Sequence, residues 1–267
     1  MIKAAVLGSP ISHSLSPLLH KTAYRELGID GSYEAIEVQA GGLAGFISTL
    51  DSSWNGFSLT MPLKEETLSL ADSIDPLAKR IKSANTLVKD NGNWHATTTD
   101  VAGFTNSLKM HEVKIVGHVV ILGAGATARA AAAACDGNAS LITVVNRSQS
   151  RVVDMSDAVL ESQIQFKGWN ETELFRGADL IISTTPAGVT DSLVLPHLTS
   201  KPFFEALYNP WPTVASKEWA MRGGMVIDGL DLLIHQAMAQ IEIFSGVKFD
   251  HDSMYSLLRS VGVLALT

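Results

Sequence analysis

Gly123-Ala124-Gly125-Ala126-Thr127-Ala128 lies between an apolar run, Val119 to Leu122, and an alanine-rich stretch ending at Cys135. Glycine at the first position permits a tight turn. Glycine at the third lets the backbone approach a pyrophosphate, and a small sixth residue lets a helix pack closely on a strand. A helix from about Ala126 offers unpaired N–H groups and its positive dipole end to phosphates. A purely structural turn fits the same glycines; the strand before and the helix after favour a nucleotide. The next apolar strand, Leu141 to Val145, ends on Asn146-Arg147-Ser148, with Arg151 expected one helical turn after Arg147. NAD sites usually place Asp or Glu at this strand tip to bind the ribose 2′-hydroxyl. This chain has none there. Two guanidinium groups can hold a phosphate by paired N–H donors, and Ser148 can add a hydroxyl or cap the next helix. An ordinary solvated basic face is the plain alternative. Position after the glycine turn favours NADP(H), and hence hydride transfer.

A second set of polar residues follows strands in the first hundred positions: Ser14 and Ser16, Ser58 and Thr60, Lys64, Asn85, and Thr99 with Asp100. Ligands of α/β proteins bind at such positions. Hydroxyls, an amide, a cation and a carboxylate suit a small molecule rich in hydroxyls that carries one carboxylate. Individually, Lys64 also reads as a surface lysine, Asp100 as a helix N-cap, and Ser16 as an N-cap with Pro17 behind it.

The remaining composition narrows the partners. The chain has 267 residues, 46% of them hydrophobic and 18% charged, enough for two modest domains with real cores. A net charge of −7 without a large basic run argues against nucleic acid. The lone Cys135 excludes an intramolecular disulfide, and no histidine or cysteine spacing suggests a metal site. Neither a signal peptide nor a membrane-length apolar run is evident, so a cytoplasmic setting is expected.

The elements that must hold these residues alternate. Strands are expected at Lys3–Leu7, Ser32–Val38, Gly56–Leu59, Asn85–Lys89 and Trp94–Thr97, the last two joined at Asn91-Gly92. Helices are expected near Pro17–Leu27 and Gly41–Leu50, around Lys64, from Asp75-Pro76, and from Asp100 to about Lys109. Alternation restarts at His118, with further strands at Asp179–Ser183, Phe203–Leu207 and Met225–Asp228. Two helices, about Leu230–Phe244 and Asp252–Leu264, are expected to pack back on the first unit. The pattern predicts an α/β protein of two domains. Residues 1–103 plus 236–267 form an N-terminal α/β substrate domain. Residues 104–235 form a Rossmann-type NADP-binding domain, with an interdomain cleft.

The ordered motifs resemble the shikimate dehydrogenase family. They are Gly8-Ser9-Pro10-Ile11-Ser12-His13-Ser14-Leu15-Ser16-Pro17 with His20, Ser58-Leu59-Thr60-Met61-Pro62-Leu63-Lys64, Ser83-Ala84-Asn85-Thr86 and Thr98-Thr99-Asp100-Val101-Ala102-Gly103. The glycine turn and Asn146-Arg147-Ser148 follow, then Ser183-Thr184-Thr185-Pro186-Ala187-Gly188, Leu207-Tyr208-Asn209-Pro210 with Thr213, and Gly229-Leu230-Asp231-Leu232-Leu233-Ile234-His235-Gln236. The resemblance implies reversible, NADPH-dependent reduction of 3-dehydroshikimate to shikimate, in chorismate and aromatic amino acid biosynthesis, by a monomer or homodimer. It implies Lys64 and Asp100 as the catalytic pair. An ammonium beside a ketone receiving hydride stabilises the charge developing on oxygen and can donate a proton. Asp100 would bond substrate hydroxyls and hold Lys64. Ser14 and Ser16 match residues on the substrate carboxylate; Thr60, Asn85 and Gln236 match hydroxyl contacts. Tyr208 matches a residue near the carboxylate and fits a core aromatic equally well. Ala206 and Gly229 match positions near the nicotinamide, beside the cofactor residues Gly123, Ala124, Gly125, Ala126, Thr127, Asn146, Arg147, Ser148 and Arg151.

Two departures bear on the substrate. The family commonly has Asn-Val-Thr at Ser58-Leu59-Thr60 and Asn-Thr-Asp at Thr98-Thr99-Asp100. The amide lost at Ser58 is expected to leave it reaching substrate only through water. Both changes touch substrate affinity and choice more than catalytic competence. Three competing readings stand beside this one. An NAD-using quinate/shikimate-like paralog would favour a carboxylate near Asn146. A non-catalytic nucleotide-binding regulator on the same fold would be expected to have lost Lys64 or Asp100. A methylene-tetrahydrofolate dehydrogenase-like enzyme lacks support from the serine pair and the Asn85 segment.

Overall fold

The computed structural model describes every residue except 116, 170–172, 174, 176, 194 and 196–199. The chain divides into two compact units, Met1–Thr99 with Leu233–Thr267, and Asp100–Leu232. The boundaries expected from the sequence lie a few residues further along.

The first unit contains β1 (Ile2–Gly8), α1 (Ser16–Glu26), β2 (Gly31–Glu37), α2 (Leu43–Ser48), β3 (Gly56–Leu59) and α3 (Leu63–Glu66). It continues with β4 (Ser73–Ile74), α4 (Pro76–Arg80), β5 (Thr86–Asp90) and β6 (Asn93–Thr97). Its sheet runs β2-β1-β3-β5-β6-β4. The sheet is mixed, because β5 runs antiparallel to both β3 and β6. The hairpin between β5 and β6 turns at Asn91 and Gly92, both at positive φ, as the Asn-Gly pair predicts. The short β4 was not foreseen; two residues carry no periodicity. The helix expected over Gly41–Leu50 is the shorter α2.

Alternation sorts the side chains of this sheet onto two faces. Ala5, Leu7, Phe57, Leu59 and Leu87 join Leu43, Leu63 and Ala78 in one core. Ser58 therefore points the other way. On that face lie α1, the later turns of α9 (Gly229–Ser245), and α10 (His251–Leu266). Fully buried His20 of α1 stacks on Tyr33 with ring centroids 3.8 Å apart and lies 6.1 Å from Phe244 of α9.

The second unit contains α5 (Asp100–Met110), β7 (His118–Leu122), α6 (Ala126–Cys135), β8 (Leu141–Val145), α7 (Val152–Asp157) and β9 (Gln163–Lys167). β10 (Ala178–Ser183), β11 (Phe203–Glu205), α8 (Val214–Met221), β12 (Val226–Ile227) and the start of α9 complete it. The sheet is all parallel, ordered β12-β11-β10-β7-β8-β9. This is the doubly wound dinucleotide-binding order, whose switch point falls between β7 and β10. Val120, Leu122, Val145, Ile181 and Phe203 pack with Ala215 and Trp219 of α8 on one face. Phe104 of α5 meets Phe204 from the other, at 5.1 Å between centroids. Sequence periodicity missed β9 and α8: Gln163, Gln165 and Lys167 break the apolar run of the edge strand.

Glu205 ends β11 with no exposure. Thr213 Oγ1 donates to its Oε2 at 3.2 Å and, as the N-cap of α8, accepts from the Ser216 amide at 3.1 Å. Burial pushes the Glu205 carboxyl up to about 7, against the lowering influence of Ser183, the Leu207 amide and Thr213. A raised carboxyl holds its proton more tightly folded than unfolded. Its stabilising contribution is therefore full below about pH 4.5 and is lost as pH rises through about 7. The loss is on the order of 3 kcal/mol. Glu205→Gln, which keeps the acceptor and cannot ionise, is expected to raise Tm by several degrees at pH 8 and hardly at pH 4.5. Thermal melts at the two pH values check this; equal differences at both would exclude the buried-proton account.

Candidate active site

In the first unit the backbone fastens the polar residues to one another. The Thr60 amide donates to Leu7 O at 2.9 Å, and the Leu63 amide to Thr60 O at 2.8 Å, so α3 begins directly off the end of β3. Lys64 O accepts from the Ala84 amide at 2.9 Å, and Asn85 O from the Leu59 amide at 2.8 Å. Lys64, Thr60 and Asn85 are thus gathered at the carboxyl end of β3, Thr60 by a bond to β1 on one side and Asn85 by a bond beside β5 on the other. Ser14 is half-buried and Ser16 is buried. Ser16 is not the N-cap that its sequence position suggested: Leu15 takes that place and α1 already includes Ser16. The Ser14 hydroxyl, one residue further back, accepts from the Ser16 amide at 3.3 Å.

Asn85 is the centre of this group. Its Oδ1 accepts from the Thr99 amide at 2.8 Å and from Thr86 Oγ1 at 3.0 Å. Its Nδ2 donates to Thr99 Oγ1 at 2.9 Å and to Gln236 Oε1 at 3.2 Å. Gln236 Nε2 donates to Leu233 O at 2.7 Å. Both faces of the Asn85 amide are thereby engaged, and its grip on the Thr99 amide fixes the backbone immediately before Asp100. Asp100 is buried and is the first residue of α5.

Ser58 departs from its expected place. Its hydroxyl accepts from Tyr33 OH at 2.5 Å and donates to Gln240 Oε1 at 2.6 Å. Both capacities are spent inside the unit, because β3 turns this residue toward α9. Gln240 Nε2 in turn donates to Asn85 O and to Thr86 Oγ1, each at 2.9 Å. Burial lowers the His20 imidazole to about 3, partly offset by Gln240, so the ring beneath Tyr33 is neutral. Gln240 and Thr86 were not singled out from the sequence. The available signal was spacing: Gln240 follows Gln236 by one helical turn and therefore shares its face of α9.

In the second unit Gly123 follows β7 at φ +107°, and a Cβ there would stand 2.7 Å from Thr184 Oγ1. Thr184 closes on the same turn, donating from its amide and its hydroxyl to Leu122 O at 3.0 and 2.9 Å. Gly125 is the N-cap of α6, has no side-chain cap, and a Cβ on it would meet nothing within 4 Å. The first amides of α6, at Ala126 and Thr127, are left for an outside acceptor, which suits a pyrophosphate. At the end of β8, Asn146 Nδ2 donates to Ser148 O at 2.8 Å, Ser148 Oγ meets Ser150 Oγ at 2.7 Å, and Arg147 is exposed. Arg151 ends a single 3-10 turn, Gln149–Arg151, instead of standing one α-turn after Arg147. No carboxylate occupies residues 146–151. These residues fit a 2′-phosphorylated dinucleotide.

Ala206, Tyr208 and Gly229 lie where β11 and β12 end. The Gly229 amide donates to Leu207 O at 3.2 Å, and a Cβ at Gly229 would fall 2.2 Å from Ala206 O. Only glycine lets α9 start so close to that backbone. Tyr208 is half-buried, not a core aromatic. Among the described residues no group of three or more His, Cys, Asp or Glu could hold a metal ion, and no helix is long and apolar enough to cross a membrane.

Comparison with known proteins agrees across both units. Residues 6–87 match the model of the shikimate dehydrogenase substrate binding domain, and residues 107–198 that of shikimate / quinate 5-dehydrogenase. The NADP(+) shikimate dehydrogenase of Staphylococcus epidermidis is 32% identical, over 96% of each chain. The Mycobacterium tuberculosis shikimate dehydrogenase structure is 35% identical, with a TM-score of 0.85, covering 98% of this chain and 100% of that one. The Thermus thermophilus shikimate 5-dehydrogenase in complex with NADP(H) and shikimate is 30% identical, with a TM-score of 0.85, covering 97% and 99%. The order of motifs, the two sheets and these relatives agree: the chain belongs to the shikimate dehydrogenase family.

Proposed function

We propose that this protein catalyses the reversible, NADPH-dependent reduction of 3-dehydroshikimate to shikimate, in the cytoplasm. The observation that carries the reading is the Asn85 cluster. One buried amide is aligned by Thr86 and Thr99, beside Gln236, with Lys64 and Thr60 following the same end of β3. Such a set recognises a ring bearing several hydroxyls.

Ser14 and Ser16 bind the substrate carboxylate, with Tyr208 near it. Thr60, Asn85 and Gln236 bind hydroxyls. Lys64 and Asp100 are the catalytic pair. NADPH, when bound, supplies the hydride. The Lys64 ammonium stabilises the negative charge that grows on the substrate oxygen and can deliver its proton there. Asp100 accepts hydrogen bonds from substrate hydroxyls and orients the ring. The glycine turn, residues 123–127, binds the pyrophosphate through backbone amides. Arg147 and Arg151, with Asn146 and Ser148, hold the 2′-phosphate. Ala206, with only a methyl group, and Gly229, with no side chain, leave room for the nicotinamide.

Loss of NADPH absorbance with 3-dehydroshikimate tests the reading, with NADH and 3-dehydroquinate run in parallel. Turnover is expected with NADPH and 3-dehydroshikimate; failure of that pair alone would remove the substrate assignment. Lys64→Ala is expected to lower kcat by roughly 10²- to 10⁴-fold with an unchanged thermal melt and NADPH affinity. Unfolding of the variant would make Lys64 a structural residue instead. Arg147→Asp is expected to raise KM for NADPH by about tenfold or more and to leave NADH nearly unaffected. Equal weakening of both cofactors would exclude the phosphate role.

A further inference from the structure

Asn85 can serve a substrate only if its amide faces the right way, and an amide is nearly symmetric in shape. Oxygen and nitrogen exchange places by a simple flip. Something must fix the choice. Two donors do so: the Thr99 amide, which can only donate and meets Oδ1 at 2.8 Å, and the Thr86 hydroxyl, whose direction the hydrogen bonds trace to Gln240, buried on α9 and remote in sequence.

Thr86 has one hydroxyl proton. Gln240 Nε2 can only donate, so at 2.9 Å it makes Thr86 Oγ1 an acceptor. The Thr86 proton is thereby left for Asn85 Oδ1, 3.0 Å away. Together with the Thr99 amide, this holds Oδ1 on the Thr86 side and turns Nδ2 toward Thr99 Oγ1 and Gln236. The orientation of Gln240 is itself set. Its Oε1 accepts from Ser58 Oγ at 2.6 Å, and Ser58 accepts from Tyr33 OH at 2.5 Å. A flipped Gln240 would set its nitrogen against the Ser58 hydroxyl and its oxygen against Asn85 O, which accepts only. The chain therefore reads in one direction, from the Tyr33 phenol through Ser58 to Gln240, and from Gln240 through Thr86 to Asn85. In a buried site a reversed link leaves polar groups unpaired, so the whole chain is held in one sense.

We infer that Gln240 is a positioning residue for substrate recognition: oriented by Ser58 and acting through Thr86, it supplies, beside the Thr99 amide, the second donor that holds the Asn85 amide in the sense that meets a substrate hydroxyl. This rests on the proposed 3-dehydroshikimate reading. It also assigns Ser58 a role. The small hydroxyl leaves room for the longer amide of Gln240 to reach in from the helix, so the serine and the glutamine act as one unit.

The test is steady-state kinetics on Gln240→Ala, Thr86→Val and the double variant Gln240→Ala with Ser58→Asn. Each is accompanied by a thermal melt and by KM for NADPH. Gln240→Ala and Thr86→Val are both expected to raise KM for 3-dehydroshikimate by about tenfold. kcat should fall less, and KM for NADPH should not change. The double variant, which returns an amide from β3, is expected to recover most of the lost affinity. Thr86→Val removes the relay hydroxyl with almost no change in shape, so it decides the matter if Gln240→Ala does not fold. Folded variants with unchanged KM for 3-dehydroshikimate would overturn the inference. So would equal losses in kcat and in both KM values, which a merely structural role produces, or a double variant no better than Gln240→Ala. A wild-type protein without 3-dehydroshikimate turnover overturns the function reading itself, whereas wild-type turnover with unmoved variants overturns the role of Gln240 alone.

Discussion

A buried amide must satisfy two donors and an acceptor oxygen, and it must do so without water. Asn85 meets that demand with Thr86, Thr99 and Gln236, and most of the first unit's polar interior is arranged around it. The adjacent backbone at Asn85 O is shared between Leu59 and Gln240. β3, β5, the segment before Asp100 and α9 are therefore held by one side chain and its own carbonyl. An unpaired polar group here would cost on the order of 1–3 kcal/mol. The cost enforces geometry as well as stability, because every partner is directional.

The second unit solves a different problem, that of bringing main chain close to main chain. Gly123 lets the turn after β7 lie against Thr184, and Gly229 lets α9 begin against Ala206. Both approaches occur at the carboxyl ends of parallel strands, where the sheet runs out and amides become available. Glu205 lies at the end of β11, directly before Ala206 and fully buried. Its partner Thr213 caps α8, so the carboxyl, the cap and the Tyr208 loop form one local unit.

Much of this was legible in the residues. The limits of α6 and β8 follow from the glycine turn and the apolar run, and the Asn91-Gly92 pair gives the hairpin. Parallel core strands such as β7 announce themselves as unbroken apolar segments. What stayed hidden is equally physical. The edge strand β9 alternates polar and apolar residues without a clear boundary, and β4 is too short to show a period. Ser14, not Ser16, supplies the hydroxyl at the start of α1, a choice made by backbone torsions that sequence spacing does not reveal. For the candidate site, residue types were readable but hydrogen-bond direction was not. Ser58 looked like a shortened substrate ligand, yet β-strand alternation turns it toward Gln240, 182 positions away.

The first unit is also discontinuous in sequence, since it needs Leu233–Thr267 to close. Its first elements find β2 and β3 at once, but α10, which packs on α1, is made much later. Leu19, Ala23 and Tyr24 of α1, all buried in the finished protein, precede α10 by more than half the chain. The second unit, by contrast, is a single uninterrupted stretch, so all strands of its sheet emerge in one run. During synthesis the order of completion is thus the reverse of the order of appearance. Residues 1–99 therefore wait for α10, one of the elements that cover them, until the second unit has been made.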